Sequence, residues 1–170
     1  RTGRMFAFEH FGIRPDIVTM AKGLAGGVPI GACLATREAA TGFQPGDHGT
    51  TFGGGPLACA AALAVLAEYE ASNLVAGAAV KGAFLKEKLL ACAARTGAIA
   101  EVRGLGLMIG IHLKQPVAAA VKAACLERGY LVYAVGDSIL RLLPPLILTE
   151  DEMLRFCADL EEILREVAGA

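Results

Sequence analysis

Lys22 has surroundings in the sequence that differ from those of an ordinary surface lysine. It stands in TMAKGLAGGVPIGACLA, residues 19–35, among glycines, alanines and aliphatic residues. Lysine is rarely buried unless it is paired, and burial favours its neutral form, a nucleophile that can form a Schiff base with an aldehyde. Two interpretations stay open: Lys22 ends a buried strand and acts as a nucleophile, or it lies at the surface and closes a strand.

A second candidate site is HGTTFGGGP, residues 48–56. Thr50 and Thr51 precede three glycines, and Pro56 suits the first position of a helix, where no backbone N–H is needed. A helix N-terminus with nearby hydroxyls and glycine amides favours an anion such as phosphate, although an ordinary helix start is the alternative. A nucleophilic amine and a phosphate site together match pyridoxal 5'-phosphate, which carries one aldehyde and one phosphate.

Arg141 is the third candidate, because it is the only charged residue in SILRLLPPLIL, residues 138–148. The guanidinium can extend outward from an edge strand while its stem covers apolar surface. It can also bind a substrate carboxylate with two parallel hydrogen bonds. The segment by itself is compatible with both roles.

Composition and charge exclude several classes of protein. The 170 residues are 55% hydrophobic, and 16 basic residues nearly balance 17 acidic ones. That balance provides no basic surface for nucleic acid, and no uninterrupted apolar stretch is long enough to span a bilayer, so we expect neither partner. The five cysteines occur singly, which argues against a disulfide framework and a metal site and favours a reducing compartment such as the cytoplasm.

Strands and helices are both needed to position these residues. Residues 1–56 are glycine-rich, and short apolar runs such as DIVTMAK and IGACLAT predict buried strands. From Pro56 the pattern becomes helical, and a second helix is predicted to end at Gly97. The segment EVRGLGLMIGIHL then predicts one buried strand with a glycine bend, and two later strands surround a turn at Gly136 and Asp137.

The C-terminal segment gives the clearest helix signal. Thr149 and Glu152 have the spacing of a capping box. Apolar residues then recur on one helical face: Met153, Phe156, Leu160, Ile163, Leu164 and Val167. We therefore predict an α/β protein with two domains, residues 1–75 and residues 76–170, the second being a small α+β unit.

These motifs together resemble the C-terminal part of the class III pyridoxal-phosphate aminotransferases, and within that family the acetylornithine branch. The segments that carry the resemblance run in the family's order and spacing from residue 3 to residue 152: GRMFAFEHFGIRPDIVTMAKGLAGGVPIGA, HGTTFGGGPLACA, VRGLGLMIG and RLLPPLILTEDE. The resemblance implies fold type I. Residues 1–75 would be the remainder of the cofactor-binding large domain, and residues 76–170 the small C-terminal domain.

The resemblance also implies roles for single residues. Lys22 matches the lysine that binds the cofactor aldehyde, and Thr51 matches the threonine that reaches the cofactor phosphate from the partner subunit of a homodimer. Thr50 matches a position that touches substrate, and Arg141 matches an arginine that holds a substrate carboxylate. One position departs from the family, because the usual Asn before the helix is Gly55 here; glycine is itself a fair N-cap.

The reaction implied is a ping-pong amino transfer from N-acetylornithine to 2-oxoglutarate, as in arginine biosynthesis. Rival interpretations are a class III enzyme acting on ornithine, succinylornithine or 4-aminobutyrate, a pyridoxal-phosphate aminomutase, and an inactive dimerising remnant. The family's aspartate facing the pyridine nitrogen, its ring-stacking aromatic residue and its glycine-rich phosphate turn would all precede Arg1. We therefore expect the sequence to be an incomplete portion that is inactive by itself.

Overall fold

A computed structural model describes residues 1–169, and the chain divides into two units of mixed helix and strand. One unit is Phe6–Leu74, and the other contains the residues from Val75 onward together with Arg1–Met5. The first residues join the second unit through the backbone, since the Leu107 N–H donates to the carbonyl of Arg1 at 2.9 Å. No pattern in the sequence predicts this return of the first five residues, because it depends on a contact between distant segments.

The unit Phe6–Leu74 contains a two-stranded antiparallel sheet and two helices. Its elements are the 3-10 turn Ala7–Phe11, strand β1 (Ile17–Met20), the 3-10 turn Lys22–Ala25, strand β2 (Ala32–Ala35), helix α1 (Arg37–Ala40) and helix α2 (Pro56–Ala71). Strand β1 pairs with β2 in a register that runs from Ile17↔Ala35 to Met20↔Ala32. Helix α2 begins at the predicted proline.

The prediction that β1 and β2 are buried strands is wrong. Ile17 in β1 is 56% exposed and Leu34 in β2 is 54% exposed. Within residues 1–169 the two strands pair only with each other, and a two-stranded sheet buries little surface by itself. Their apolar side chains therefore stay accessible, although their composition is that of buried strands.

The second unit is built on a four-stranded antiparallel sheet. Its elements are helix α3 (Leu74–Thr96), strands β3 (Ile99–Leu105) and β4 (Met108–Leu113), helix α4 (Ala118–Glu127), strands β5 (Tyr133–Val135) and β6 (Ile139–Leu142), and helix α5 (Glu150–Ala168). The strand order across the sheet is β3-β4-β6-β5. The prediction of one bent strand over EVRGLGLMIGIHL is wrong, because the chain reverses at Gly106 and forms the β3–β4 hairpin.

One face of this sheet packs against helices and forms the core. The face alternates with the strand period of two, so that Ile109, Ile111, Leu140 and Leu142 are buried. Buried residues from the helices complete the cluster: Leu85, Leu89, Val121, Met153, Leu160, Ile163 and Leu164. The predicted apolar face of α5 is thereby confirmed, and residues such as Gly110 and Arg141 are left on the opposite face of the sheet.

Three of the five cysteines also lie in this core, and all five are free thiols. Burial raises the pKa of Cys125 to about 11 and that of Cys157 to about 12. Burial also raises the pKa of Cys92 above its usual value. These thiols stay protonated near neutral pH and pack as small apolar residues, whereas Cys33 and Cys59 are exposed.

The start of α5 is held by the predicted capping box. The Thr149 hydroxyl accepts from the Glu152 N–H at 3.3 Å, and the Glu152 carboxylate accepts from the Thr149 N–H at 2.8 Å. The bonds that Thr149 donates favour the charged carboxylate, so the pKa of Glu152 lies below its ordinary value of 4.5. The box satisfies two backbone N–H groups that the first turn of a helix would leave unpaired.

Helix α3 approaches the β3–β4 turn closely enough to require a glycine. A Cβ at Gly82 would lie 2.1 Å from the carbonyl oxygen of Gly106, which is a backbone atom and cannot rotate away. A Cβ at Gly77, on the same helix, would meet no heavy atom within 4 Å. The two glycines therefore differ in packing although they share the same local conformation.

No single helix within residues 1–169 is both long and apolar enough to cross a membrane, although α2 and α3 taken together pass that test by length and composition alone.

We predict opposite effects for alanine at these two glycines. Gly82→Ala should lower the free energy of unfolding by about 1–3 kcal/mol, because the added methyl group displaces the β3–β4 turn. Gly77→Ala should raise it by about 0.5–1 kcal/mol, because alanine favours the helix interior relative to glycine and its methyl group meets no neighbouring atom at this position. Urea unfolding of the two purified variants measures both values, and equal effects of the two substitutions would contradict this account of the contact.

We also predict a pH-dependent contribution from Glu152. Because its pKa is lower in the folded than in the unfolded state, the carboxylate stabilises the fold above the unfolded-state value and loses this contribution as the pH falls through the folded-state value. Glu152→Gln should thus lower the Tm at pH 7, and the difference from the wild type should shrink as the pH falls below 4.5 and disappear once the pH is below the folded-state pKa of Glu152. Glu150→Gln, in the same first turn but outside the box, is the control for loss of one charge; a Glu152→Gln difference that persists unchanged in acid would refute the prediction.

Candidate active site

Lys22 occupies an unusual backbone position as the first residue of the 3-10 turn that follows strand β1. Its φ angle is 59°, and it is one of two non-glycine residues with a positive φ among residues 1–169. A left-handed backbone costs an ordinary residue about 1–2 kcal/mol, and such strain clusters at active sites and ligand clamps. The strained backbone therefore indicates that Lys22 is a candidate active-site residue, and this observation does not depend on the neighbouring residues in the sequence.

The turn after Lys22 is fixed by hydrogen bonds and by packing against α2. The Leu24 N–H donates to the Ala21 carbonyl at 3.2 Å, and the Gly26 N–H donates to the Gly23 carbonyl at 3.2 Å. Ala25 is only 3% exposed, and a Cβ at Gly26 would lie 3.3 Å from the Val65 side chain of α2. These contacts can maintain the strained backbone of Lys22.

The expectation that Lys22 itself is buried is wrong for the described chain, because its side chain is exposed. The cause is the same as for β1: a two-stranded sheet provides no cover for a side chain at its end. Lys22 also does not end the strand as expected, because β1 ends at Met20 and Lys22 is the first residue of the 3-10 turn Lys22–Ala25.

The threonine loop, residues 49–55, leads directly into helix α2. The Thr50 hydroxyl accepts from the Gly53 N–H at 3.1 Å, and a Cβ at Gly53 would lie 2.6 Å from the Thr50 side chain. Gly54 has a φ of 70°, and Gly55 is the N-cap, with no side-chain cap bond. The loop therefore takes its shape from Thr50 and the glycines, while the hydroxyl of Thr51 forms no hydrogen bond within residues 1–169.

Arg141 lies on the exposed face of the four-stranded sheet, opposite the core. It is paired in register with Gly110 of β4 on one side and with Tyr133 of β5 on the other. Its guanidinium carbon lies 5.0 Å from the centre of the Tyr133 ring. A cavity of about 400 Å³ is lined by Arg141 together with Arg103 and Gly110.

The sequence did not identify the three neighbours of Arg141 as candidate residues: Tyr133, Gly110 and Arg103. Their proximity to Arg141 depends on strand register, since β3, β4 and β5 each contribute one of them. The alternation of apolar and other residues in MIGIHL and ILRL indicates which residues share a face. It does not indicate which strands are neighbours.

The structure places the predicted site residues in two groups. Lys22, Thr50 and Thr51 belong to the unit Phe6–Leu74, and Arg141 belongs to the other unit. The first group contributes an amine, hydroxyls and glycine amides at a helix start, which suit an aldehyde and a phosphate. The second group contributes a guanidinium that suits a carboxylate. Within residues 1–169, no cluster of three or more His, Cys, Asp or Glu side chains is placed to hold a metal ion.

Comparison with known proteins relates the chain to the aminotransferases. The sequence profile of the family "Aminotransferase class-III" matches residues 1–164. The acetylornithine aminotransferase of Corynebacterium efficiens is 49% identical over 98% of this chain, which covers 40% of that protein. The chain thus spans about two-fifths of the length of this curated relative.

Solved structures of aminotransferases superpose on the chain over nearly all of its length. The acetylornithine aminotransferase of Elizabethkingia anophelis matches with a TM-score of 0.89 at 34% identity, over 98% of this chain and 45% of that one. The ornithine aminotransferase of Toxoplasma gondii matches with a TM-score of 0.88 at 31% identity, over 99% of this chain and 41% of that one, and its structure shows partial occupancy of pyridoxal phosphate at the active site.

These matches confirm the predicted fold class, which is part of a fold-type-I large domain followed by a C-terminal α+β domain. They also confirm pyridoxal phosphate as the cofactor of the group, in agreement with the amine and the glycine-rich helix start found here. The chain belongs to the class III aminotransferases.

Proposed function

We propose that this chain carries part of the active site of a pyridoxal-phosphate-dependent aminotransferase that transfers the amino group of N-acetylornithine to 2-oxoglutarate. The observation that carries the proposal is the strained, left-handed backbone of Lys22 at the start of the glycine-containing turn that follows strand β1. The further parts of the proposal are a role in arginine biosynthesis, a cytoplasmic location and a homodimer whose subunits share each active site.

Lys22 is the proposed catalytic residue and cofactor ligand. Pyridoxal phosphate, when bound, supplies an aldehyde that condenses with amines and a ring that accepts electron density from the reacting carbon. The Lys22 amine would hold the aldehyde group of the bound cofactor, and as a free amine it would act as a general base toward the proton on the substrate carbon that bears the amino group. An exposed side chain on a fixed backbone can perform both tasks, because its four-carbon stem reaches outward while the turn stays in place.

Thr51 and Thr50 are proposed to divide two tasks at the start of α2. The Thr51 hydroxyl binds the cofactor phosphate, which also lies near the positive end of the helix dipole. Thr50 touches substrate while its hydroxyl holds the loop through the Gly53 N–H. In the proposed dimer this loop serves the active site of the partner subunit.

Arg141 is proposed to bind the carboxylate that both substrates carry. Its guanidinium is exposed and is absent from the ion pairs shown among residues 1–169. A planar guanidinium forms two parallel hydrogen bonds to a carboxylate, which fixes the orientation of the substrate as well as its position.

Ornithine is the second candidate donor. Relatives at the level of sequence include acetylornithine aminotransferases, whereas the structural relatives include ornithine aminotransferases at nearly the same TM-score. The two donors differ at one nitrogen, which is acetylated and neutral in one and a cation in the other. Side-by-side turnover with both donors, using 2-oxoglutarate as acceptor, distinguishes the two candidates.

We predict that borohydride reduction fixes the cofactor on Lys22. The experiment uses the complete protein, by which we mean the polypeptide in which this sequence occurs, loaded with pyridoxal phosphate and analysed by peptide mass spectrometry. Lys81 and Lys86 are internal controls, because their amines donate to the carbonyls of Leu146 at 2.8 Å and Gly104 at 2.7 Å. Label on these controls with Lys22 unlabelled would refute the assignment, and Lys22→Arg should abolish the labelled peptide.

We predict that Thr51 contributes more to cofactor affinity than Thr50. Loss of a charge-assisted hydrogen bond costs about 1.5–3 kcal/mol, so Thr51→Val should weaken binding by about tenfold or more. Thr50→Val is the matched control, with the same change of hydroxyl to methyl one residue earlier in the loop. Titration of the complete protein with pyridoxal phosphate measures both affinities; an unchanged affinity in Thr51→Val, or a larger loss in Thr50→Val, would contradict the assigned roles.

A further inference from the structure

Four residues form one row across the exposed face of the second sheet. Arg103 of β3 pairs with Gly110 of β4, Gly110 pairs with Arg141 of β6, and Arg141 pairs with Tyr133 of β5. Residues that are directly opposite in neighbouring strands project from the same face of the sheet. We call these four residues the arginine row.

Arg141 has an aromatic neighbour on one side only. Its guanidinium carbon lies 5.0 Å from the centre of the Tyr133 ring, within the distance of about 6 Å at which a cation is attracted to the face of an aromatic ring. On the other side Gly110 has no side chain, and a Cβ placed there would be 3.7 Å from the nearest atom of Arg103. The ring of Tyr133 is therefore the flat surface against which the Arg141 side chain lies within this row.

The other charged groups near the row do not substitute for this contact. Arg103 is engaged with Glu101 of the same strand at 3.7 Å. Lys122 of α4 also lies over the Tyr133 ring, but farther away, with its ammonium nitrogen 5.9 Å from the ring centre. Arg103, Lys122 and Arg141 make this area of the sheet positive overall, which attracts an anion but does not orient it.

Glycine in a sheet strand often marks a place where a ligand approaches the backbone closely. Gly110 lies in β4, which has a hydrogen-bonded strand on both sides, and it lines the cavity of about 400 Å³ beside Arg141. The side chain of Arg103 passes over Gly110, with its Cγ 3.7 Å and its Nε 3.9 Å from the position of a Cβ there. The cavity is therefore bounded by Arg103 as well as by Arg141. A carboxylate can enter this cavity and meet Arg141 from the side opposite Tyr133.

We propose that Tyr133 is a positioning residue: its ring holds the Arg141 guanidinium in one orientation, so that the substrate carboxylate is bound in the cavity that Arg141 lines together with Arg103 and Gly110. This inference rests on the proposed function, in which Arg141 binds that carboxylate. Long arginine side chains lose conformational freedom on binding. A ring that restricts the guanidinium before substrate arrives reduces this cost and increases affinity for both substrates.

The kinetic test uses Tyr133→Leu and Tyr133→Phe in the complete protein. An exposed cation–aromatic contact changes binding by about 2- to 5-fold. Tyr133→Leu should therefore raise the KM for the acceptor 2-oxoglutarate by that factor and leave kcat nearly unchanged, while Tyr133→Phe, which keeps the ring, should retain the wild-type KM. Tyr133 lies on edge strand β5 and is 56% exposed, so neither variant is expected to disturb the core.

A double-mutant cycle separates positioning from a general effect on the sheet. In an Arg141→Gln background, Tyr133→Leu should have no further effect on the KM for the acceptor, because the group that it positions is absent. Lys122→Gln is the matched control for removal of the other cation over the same ring. It should not increase KM as Tyr133→Leu does, and an equal increase would show that local charge rather than stacking is responsible.

Nuclear magnetic resonance tests the contact without turnover. The side-chain protons of Arg141 should show a ring-current shift in the wild type and in Tyr133→Phe, and that shift should be lost in Tyr133→Leu. Equal Arg141 shifts in all three proteins, or an equal KM in wild type and Tyr133→Leu, would overturn the inference. The proposed function fails separately, if the wild type shows no amino transfer or if Arg141→Gln leaves the KM for the acceptor unchanged.

Discussion

Burial of one face of the four-stranded sheet is the constraint on which the arrangement of Arg141 depends. Ile109, Ile111 and Leu140 are essentially inaccessible to solvent because α3, α4 and α5 contribute apolar residues to the same cluster. Side chains alternate between the two faces of a strand, so burial of these residues places Gly110 and Arg141 on the other face. A shift of register by one residue would move the guanidinium into the core, at a cost that excludes it.

A different constraint acts at Lys22, where packing of the neighbouring residues maintains a strained backbone conformation. The left-handed conformation is unfavourable for a lysine, and burial of Ala25 with the packing of Gly26 against Val65 offsets that cost. Helix α2 therefore has two tasks in its unit. Its body supports the turn that begins at Lys22, and its N-terminus follows the threonine loop. In the proposed dimer, one element therefore positions Lys22 for one cofactor site and the threonine loop for the cofactor site of the partner subunit.

The sequence predicts elements well where the signal is local. The capping box of Thr149 and Glu152, the proline start of α2 and the turn between β5 and β6 each depend on residues a few positions apart, and the structure confirms them. It predicts poorly what depends on pairing between distant segments. The local pattern favours one strand where the β3–β4 hairpin forms, and it does not indicate that Lys22 and β1 are exposed. The contact of Tyr133 with Arg141 becomes predictable only once β5 is known to pair with β6.

Helices α2 and α5 differ in how the unpaired backbone N–H groups at their N-termini are treated: α5 has side-chain caps, whereas α2 has none. Each helix leaves the N–H groups of its first turn without partners inside the helix. In α5 the side chains of Thr149 and Glu152 satisfy them, and the helix start is closed to other acceptors. In α2 the N-cap is Gly55, which has no side chain, and Pro56 has no N–H, so the amides of Leu57 and Ala58 have no side-chain cap. The asparagine that is usual in the family at this position would accept from one of these amides; Gly55 leaves both available to an external anion, such as the phosphate that is proposed to bind beside Thr51.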